Sequence, residues 1–261
     1  MIEFVPGGRM MSDWNLTDAY GEQKSEIISL ELESRLYEHL LQDRDFTSQI
    51  QGLRKEVFHR LGVYLPSIRI RTLSSMDRGC YRIRVRGRCA AEGVLNPPLR
   101  FSDQPGEEEE TPAIHPLQRT EGWWTEGDGE SCAEIIIRHV RSVLNRRLDD
   151  LVTFDWVTRW LKQARSHNPE LVKELESRRL TPGLLWSVMK QLAKERIPLS
   201  PFEELLEIIL EYYLTHPHEG YTPPEWHQPH PAEIAKYVAS KNKDRRRRTA
   251  KQEGKVIGFS K

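Results

Sequence analysis

Four histidines near the end of the chain have the side-chain type and the approximate spacing of a metal site. They form two close pairs, His216 with His218 and His227 with His230. Two imidazole pairs can in principle complete the four ligands of a tetrahedral zinc site. All four lie in a proline-rich stretch, however, with no evident means of fixing the orientation of the rings, which metal sites require. We therefore predict that these histidines hold no metal.

The three cysteines, Cys80, Cys89 and Cys132, are the next candidates for chemistry. Their odd number and irregular spacing favour neither a disulfide framework nor a zinc ribbon nor a redox pair. Cys132 is of the nucleophilic type but has no recognisable companion, so we expect a small buried thiol in a helix. Catalytic and phosphate-binding motifs are likewise absent from the sequence. We predict a protein that is not an enzyme and that uses no cofactor.

The charges are balanced over the chain but not along it. Lysine plus arginine and aspartate plus glutamate both number 39. Arginine alternates with apolar residues at positions 67–71 and 81–85, and a basic tail contains Arg245, Arg246, Arg247 and Arg248. These segments leave open an alternative function, nucleic-acid binding through the strand face and the tail. Because the net charge is zero, we favour a solvated sheet face and expect no nucleic-acid partner.

The first part of the chain has the pattern of a mixed α/β unit. Residues 27–36 predict a strand because apolar residues occupy alternate positions. Thr47 and Ser48 predict the start of a helix, with Gln51 completing a capping box on Ser48, and Gly62 predicts its end. Three further strands are predicted at residues 67–71, 81–85 and 89–95.

Residues 96–130 interrupt this pattern. Several prolines and the four glutamates from Glu107 to Glu110 predict a flexible linker. Its most conspicuous bulky residues are Trp123 and Trp124. We expect the segment to bury no core of its own and the two indoles to dock against a neighbouring element.

From Ser131 onward the pattern is largely helical. Thr153, Asn168 and Thr181, the last two followed by proline, predict the starts of three helices after the first. A further start combines Ser200, Pro201 and Glu203 in a capping box. Apolar stripes over residues 184–192 and 202–213 predict that the last two of these helices pack against each other. Beyond residue 231 we predict a short helix at 232–239 and a strand at 255–259.

Together these elements predict an α+β protein with several subdomains. A disordered tail spans residues 1–26, a mixed α/β subdomain spans 27–152 with a shortened insert or linker at 96–130, a compact helical subdomain spans 153–215, and a small α/β part with a basic segment spans 216–261. The sequence contains neither a signal-peptide pattern nor an apolar run long enough to cross a bilayer. We therefore expect a cytoplasmic protein.

Read in order, five segments resemble the cytoplasmic C-terminal domain of the export-gate proteins of type III secretion, the FHIPEP family. They are SLELESRLYEHL, GLRKEVFHRLGVYLPSIRIR, YRIRVRGRCAAEG, EIIIRHVRSVL and LAKERIPLSPFEELLEIILEY. Two later segments, HPAEIAKYVASKNKDRRRR and KVIGF, resemble the start of the last subdomain of that family. The resemblance runs from about residue 27 to residue 259 and includes none of the membrane-spanning half of the family.

The resemblance implies a partner-binding protein rather than a catalyst. Domains of this family form a ring, usually of nine copies, beneath the inner-membrane export channel of flagellar and virulence systems. There they receive export substrates and complexes of secretion chaperones with their substrates. Other proteins of the export apparatus are further expected partners, and the expected location is the cytoplasm, at the inner membrane.

The same resemblance points to a docking site. Thr111, Pro112, Ile114 and Trp123 occupy the positions of a D/E-P-A-F…W pattern that the family links to chaperone docking. The acidic and aromatic positions of that pattern are Thr111 and Ile114 here, and the insert that carries them is shortened. We predict a partner-binding surface of Thr111, Pro112, Ile114, Trp123 and Trp124, with Ile114 and the two exposed indoles as anchors.

Overall fold

A computed structural model describes residues 26–43, 45–104, 111–216 and 229–256, with side chains described as far as residue 243. The strands are β1 (Ile28–Leu32), β2 (Arg69–Thr72), β3 (Cys80–Val85), β4 (Arg88–Val94), β5 (Arg100–Ser102), β6 (Thr111–Ile114) and β7 (Glu121–Thr125). The helices are α1 (Ser34–Gln42), α2 (Phe46–Leu61), α3 (Cys132–Arg146), α4 (Leu148–Leu151), α5 (Phe154–His167), α6 (Pro169–Ser177), α7 (Pro182–Lys194), α8 (Phe202–Thr215) and α9 (Pro231–Val256). These elements confirm the predicted α+β class.

The larger sheet has the strand order β2-β1-β3-β4. Strand β1 runs parallel to β2 and antiparallel to β3, and β3 and β4 form an antiparallel pair. All five residues of β1 are buried, including Ser29 and Glu31. The alternation of apolar and polar residues in β1 therefore reflects two buried faces, one apolar and one polar, rather than one buried face and one exposed to water.

The strand predicted over residues 27–36 ends earlier, because a helix that the sequence analysis missed follows it. The carboxylate of Glu33 accepts hydrogen bonds from the backbone N–H groups of Arg35 and Leu36, at 2.9 and 3.2 Å. Glu33 thereby caps the first turn of α1 and turns the chain out of the sheet. Glutamate is not among the side chains usually preferred at this position, so its capping role gave little sequence signal.

Helix α2 begins before the predicted capping serine. Its N-cap residue is Asp45, whose side chain makes no capping hydrogen bond, and its first residue, Phe46, is buried. The capping box predicted on Ser48 was therefore wrong, because the helix starts three residues earlier, with Phe46 buried in the core. The predicted end is confirmed: Gly62 lies in the left-handed region with a φ of 66° and closes the helix.

The segment predicted as a flexible linker instead contains three strands. They form a second antiparallel sheet with the order β5-β7-β6. The prediction that this segment would bury nothing of its own was also wrong, because Phe101 and Trp124 are buried and their rings pack edge to face, with centroids 5.5 Å apart. Strands of only three to five residues carry too little periodic pattern to be recognised in the sequence.

Most helices of the helical part begin where the sequence predicted. Ser131 forms a complete capping box with Glu134 at the start of α3, and Thr153 and Thr181 cap α5 and α7 through their side chains. The capping box predicted at Ser200 is absent. Pro201 itself is the N-cap, with extended backbone at a ψ of 144°, so α8 begins one residue later than predicted.

The two apolar stripes of α7 and α8 are both buried, but their neighbours differ from the prediction. Helix α7 packs mainly against α4, α5 and α9, whereas α8 packs mainly against α5, α6 and α9. The two helices therefore share α5 and α9 as common partners instead of facing each other. Ile234, Ala235 and Val238 on the first turns of α9 are completely buried in this arrangement.

The C-terminal part is helical as far as the structure describes it. Helix α9 contains the predicted helix at 232–239 and continues to Val256. Lys255 and Val256 are thus helical, which contradicts the first two residues of the strand predicted at 255–259, and the other three lie outside the described residues. Within the described residues, no helix has the length and apolar character needed to cross a membrane.

Candidate functional site

An open cleft of about 470 Å³ separates the end of the larger sheet from the three-stranded sheet. We call it the inter-sheet cleft. It is lined by Glu33, Arg35, His39, Arg78, Gly79, residues 94–98, residues 111–113 and Trp124. Three of the five predicted site residues line it: Trp124 of β7, and Thr111 and Pro112 of β6, which is an edge strand of the smaller sheet.

The predicted site residues are divided between the two faces of the smaller sheet. Thr111 lies opposite Trp124 in the β6–β7 pairing, and Pro112 lies opposite Trp123. Because successive side chains of a strand point to opposite faces, Ile114 shares the face of Pro112 and Trp123. We call these three residues, Pro112, Ile114 and Trp123, the outer patch. The structure therefore brings the five residues together around one strand edge, but not onto one surface.

The two indoles differ in exposure, contrary to the expectation of an exposed pair. Trp124 is only 6% exposed and packs against Phe101, so it belongs to the core of the smaller sheet. Trp123 is half-buried on the other face. Ile114 is 61% exposed, and Pro112 of the outer patch is also exposed. The anchor role predicted for Trp124 lacks the accessible surface that it needs.

A buried polar network fixes the smaller sheet against α3. His115 is almost completely buried, and its Nδ1 atom accepts hydrogen bonds from the backbone N–H groups of Leu117 and Gln118, both at 3.1 Å. Its Nε2 atom lies 3.1 Å from a carboxylate oxygen of Glu130, which also pairs with Arg138 of α3 at 3.0 Å. Since Nδ1 accepts two bonds, the proton of the neutral ring is on Nε2 and is donated to Glu130.

A second buried contact ties α3 to the larger sheet. The hydroxyl of Tyr81 lies 2.7 Å from Nδ1 of His139, and both side chains are buried. Burial, followed by the nearby positive charges of Arg146 and Arg119, lowers the pKa of His139 to about 4. Burial also raises the pKa of Tyr81. Both groups are therefore neutral near pH 7, and α3 holds the two sheets on either side of the cleft.

The charged rim of the cleft was missed in the sequence analysis. Glu33 accepts a further hydrogen bond from the backbone N–H of Gly79 at 3.3 Å, which joins the start of α1 to the turn before β3. This brings Arg35 and Arg78, which lie far apart in the sequence, to one rim together with His39. A local sequence pattern could not have identified them, because the long-range pairing of β1 with β3, extended by the contacts of Glu33 with Gly79 and Cys80, brings them together.

The remaining candidates for chemistry do not form a site in the described part of the chain. Cys132 is buried, and burial raises the pKa of its thiol to about 11, as suits a packing residue. His216 stacks on Tyr212 with ring centroids 4.7 Å apart, and His230 accepts a hydrogen bond from Ala232. His218 and His227 lie outside the described residues. No group of three potential metal ligands occurs among the described residues.

The arginines that suggested nucleic-acid binding are largely neutralised by carboxylates. Glu31 pairs with Arg84 at 2.8 Å and with Arg82 at 3.7 Å. Glu26 pairs in the same way with the arginines of β2, Arg69 and Arg71. A sheet face whose cations are held by neighbouring carboxylates lacks the free positive potential that phosphate backbones require. The side chains of Arg245 to Arg248 lie outside the described ones.

The fold is that of the cytosolic domains of type III secretion export-gate proteins. The Chlamydia pneumoniae CdsV protein superposes with a TM-score of 0.64 at 18% identity, over 82% of this chain and 65% of that one. The same protein in its complex with CdsO gives a TM-score of 0.64 at 17% identity, over 82% of this chain and 68% of that one. The nonameric SctV-C from EPEC gives 0.57 at 14% identity, over 82% of this chain and 64% of that one.

The chain belongs to the FHIPEP family, whose model matches residues 12–221. Among curated relatives, the flagellar biosynthesis protein FlhA of Helicobacter pylori is 25% identical over 205 residues, covering 72% of this chain and 28% of that protein. FlhA of Caulobacter vibrioides is 24% identical over 182 residues, covering 64% of this chain and 26% of that protein. The chain thus spans about a quarter of the length of these relatives. Family membership confirms the resemblance noted in the sequence.

Proposed function

We propose that this chain is a non-catalytic docking component of a type III protein export apparatus. Membership of the export-gate family and the shared fold of the virulence-system domains support this role. Its partners would be export substrates, complexes of secretion chaperones with substrates, and other export-apparatus proteins. It would act in the cytoplasm, at the inner membrane. A docking role needs accessible surfaces rather than activated side chains, which agrees with the buried, neutral state of Cys132 and His139.

We infer that partners bind around the edge formed by β6. The observation that carries this inference is the 61% exposure of Ile114, an outer-patch residue on the edge strand β6, whose first three residues line the inter-sheet cleft. Pro112 on the same strand has no N–H to offer to a further strand. A partner at this edge would therefore be recognised mainly by side chains, with Thr111 on the cleft side and Ile114 and Trp123 on the outer side. Trp124 would support this edge from the core.

Affinity purification from the bacterium that carries the gene tests this site. The wild-type chain should recover export substrates and secretion chaperones, identified by mass spectrometry. Ile114→Ser should reduce their recovery by about fivefold or more, as expected for an interface anchor worth at least about 1 kcal/mol. Leu214→Ser is the matched control, because Leu214 on α8 is an aliphatic residue of similar exposure, 57%. If the wild-type chain recovered no export component, the proposed function would be wrong.

The contribution of the half-buried indole can be measured separately. Trp123→Ala should weaken partner binding while changing stability less than Trp124→Ala, because only Trp124 is packed in the core of the smaller sheet. A variant with both tryptophans replaced could not separate a loss of partner binding from a loss of folding. Equal loss of partner binding by Trp123→Ala and Leu214→Ser would remove Trp123 from the proposed site.

The comparisons also motivate a proposal about assembly. The SctV-C relative is nonameric, and CdsV forms a complex with CdsO. We propose that this chain likewise assembles into a ring and binds other components of its apparatus. Light scattering over a concentration series should show species that approach nine copies as concentration rises. A constant monomeric mass at all concentrations would contradict ring formation without affecting the test of partner binding.

A further inference from the structure

The charges at the rim of the inter-sheet cleft are strongly one-sided. Arg35 and Arg78 are both exposed, and among the described residues neither forms a salt bridge with a carboxylate, although the charge of Arg35 acts on nearby Glu33. His39 lies beside them, and Glu33 is the only carboxylate that lines the cleft within the described part of the chain. The arginines of the larger sheet behave differently, because Arg84 and its neighbours lie against carboxylates. The cleft rim therefore carries cations that are available to a ligand.

The one carboxylate of the cleft is already occupied. Glu33 accepts three backbone hydrogen bonds, from Arg35, Leu36 and Gly79. Burial alone would raise the pKa of Glu33, but these three donors and the charge of Arg35 outweigh burial and lower it. The negative charge of Glu33 is thus compensated by the first turn of α1 and the turn before β3. These hydrogen bonds attach two backbone segments to the Glu33 carboxylate. One segment contains Arg35, and the other contains Gly79, the neighbour of Arg78.

Most of the remaining lining of the cleft is apolar. Val94 is 58% exposed, although it ends a strand, and Pro97 and Pro98 follow it along the lining. Trp124 closes the cleft behind them. A single cleft therefore offers two exposed cations together with an apolar surface. A matching ligand needs carboxylates on one side and aliphatic side chains on the other.

We propose that the inter-sheet cleft binds an acidic, amphipathic peptide segment of a partner protein. In an extended peptide, alternate side chains point in opposite directions. Carboxylates at alternate positions would pair with Arg35 and Arg78, while the aliphatic residues between them pack on Val94 and the two prolines. This inference rests on the proposed docking function and adds to it the chemical class of the partner segment.

Fluorescence anisotropy with three labelled peptides of equal length tests this specificity. The first alternates Glu and Leu, the second alternates Gln and Leu, and the third alternates Glu and Ser. The wild-type chain should bind the Glu–Leu peptide about tenfold more tightly than either of the others, and the difference from the Gln–Leu peptide should shrink at high salt. Equal affinity for the Glu–Leu and Gln–Leu peptides would overturn the assignment of the cations.

Charge-matched variants identify the surface. Arg35→Gln with Arg78→Gln should weaken binding of the Glu–Leu peptide by about tenfold, the expected effect of losing two partly exposed charge pairs. Arg88→Gln with Arg159→Gln removes the same charge from exposed positions outside the cleft and should leave affinity unchanged. Equal weakening by both double variants would overturn the proposal, because it would reflect net charge alone. Val94→Ser should weaken the Glu–Leu peptide selectively relative to the Glu–Ser peptide.

Other occupants of the cleft give distinguishable results. Peptide binding that appeared only after Glu107, Glu108, Glu109 and Glu110 were replaced by Gln would overturn the proposal in favour of the acidic run of this same chain. A change in oligomeric state on Arg35→Gln with Arg78→Gln would overturn it in favour of a second copy. If this double variant still recovered export components while Ile114→Ser did not, the acidic-peptide inference would fail and the proposed docking function would stand.

Discussion

The hydroxyl of Tyr81 and the Nδ1 atom of His139 form a buried hydrogen bond of 2.7 Å between strand β3 and helix α3. The same helix carries Arg138, which pairs with Glu130 at the end of the smaller sheet. Helix α3 therefore holds both sheets, and the cleft between them depends on its position. Because burial keeps the His139 ring neutral by lowering its pKa, the arrangement has a specific dependence on pH.

We predict that His139 makes the protein less stable in mild acid. Its pKa in the folded chain is about 4, below the ordinary value of 6.5. Above pH 6.5 the ring is neutral in both the folded and the unfolded chain, so its protonation does not affect the free energy of unfolding. As pH falls from 6.5 to 4 the unfolded chain takes up a proton that the folded chain does not, so the free energy of unfolding falls, by up to roughly 3 kcal/mol.

Urea unfolding between pH 7.5 and 4 measures this effect. His139→Gln keeps an acceptor for the hydroxyl of Tyr81 but cannot be protonated, so it should remove this part of the pH dependence. Carboxylates with lowered pKa, such as Glu33 and Glu134, act equally in both proteins and cancel in the comparison. The same pH profile in the variant and the wild type would show that His139 is not the responsible group.

We predict that two serines with the same sequence pattern differ in their effect on stability. Ser131→Ala removes a formed capping box, in which Oγ accepts from the backbone N–H of Glu134 at 3.2 Å and the Glu134 carboxylate accepts from the backbone N–H of Ser131 at 2.8 Å. The expected loss is about 1 kcal/mol. Ser48→Ala should change stability by less than about 0.5 kcal/mol, because Ser48 is exposed inside α2 and caps nothing. Comparable losses in thermal unfolding would disprove the assigned start of α2.

We predict opposite effects for alanine at two glycines. A Cβ at Gly122 in β7 would lie 2.4 Å from both the ring of Phe101 and the backbone oxygen of Ser102. Gly122→Ala should therefore destabilise the smaller sheet, by about 1–3 kcal/mol. Gly52 lies within α2 with open space around it, and Gly52→Ala should stabilise the protein by about 0.5–1 kcal/mol. Denaturant titrations of both variants check this, and a stable Gly122→Ala protein would contradict the close packing of β5 on β7.

The sequence predicts this fold well where structure is decided within a few residues. Thr153 and Thr181 were identified as caps because the capped N–H lies three residues away. Ser48 satisfied the same local rule and failed, because burial of Phe46 depends on contacts with the rest of the fold. Helices α7 and α8 were likewise predicted correctly as elements, but their apolar stripes do not indicate which helices they pack against. Their common contacts with α9 depend on chain that follows both helices.

The sequence proposed the candidate residues but did not give their geometry. The family resemblance located Thr111, Pro112 and Ile114 together on what proved to be an edge strand. The division of these residues between two faces follows from the β6–β7 register, which no local pattern specifies. The cationic rim was harder still, because it depends on the pairing of β1 with β3 and on the hydrogen bond between Glu33 and Gly79, which are distant in sequence.

Site-specific photocrosslinking in the living bacterium tests the central claim most directly. A benzophenone amino acid replaces Ile114 in one protein and Leu214, a similarly exposed position on α8, in the other. The docking account predicts that export substrates or secretion chaperones, identified by mass spectrometry, crosslink to position 114 and not to position 214. The account is contradicted if position 114 captures no export component, or if both positions capture the same set of proteins.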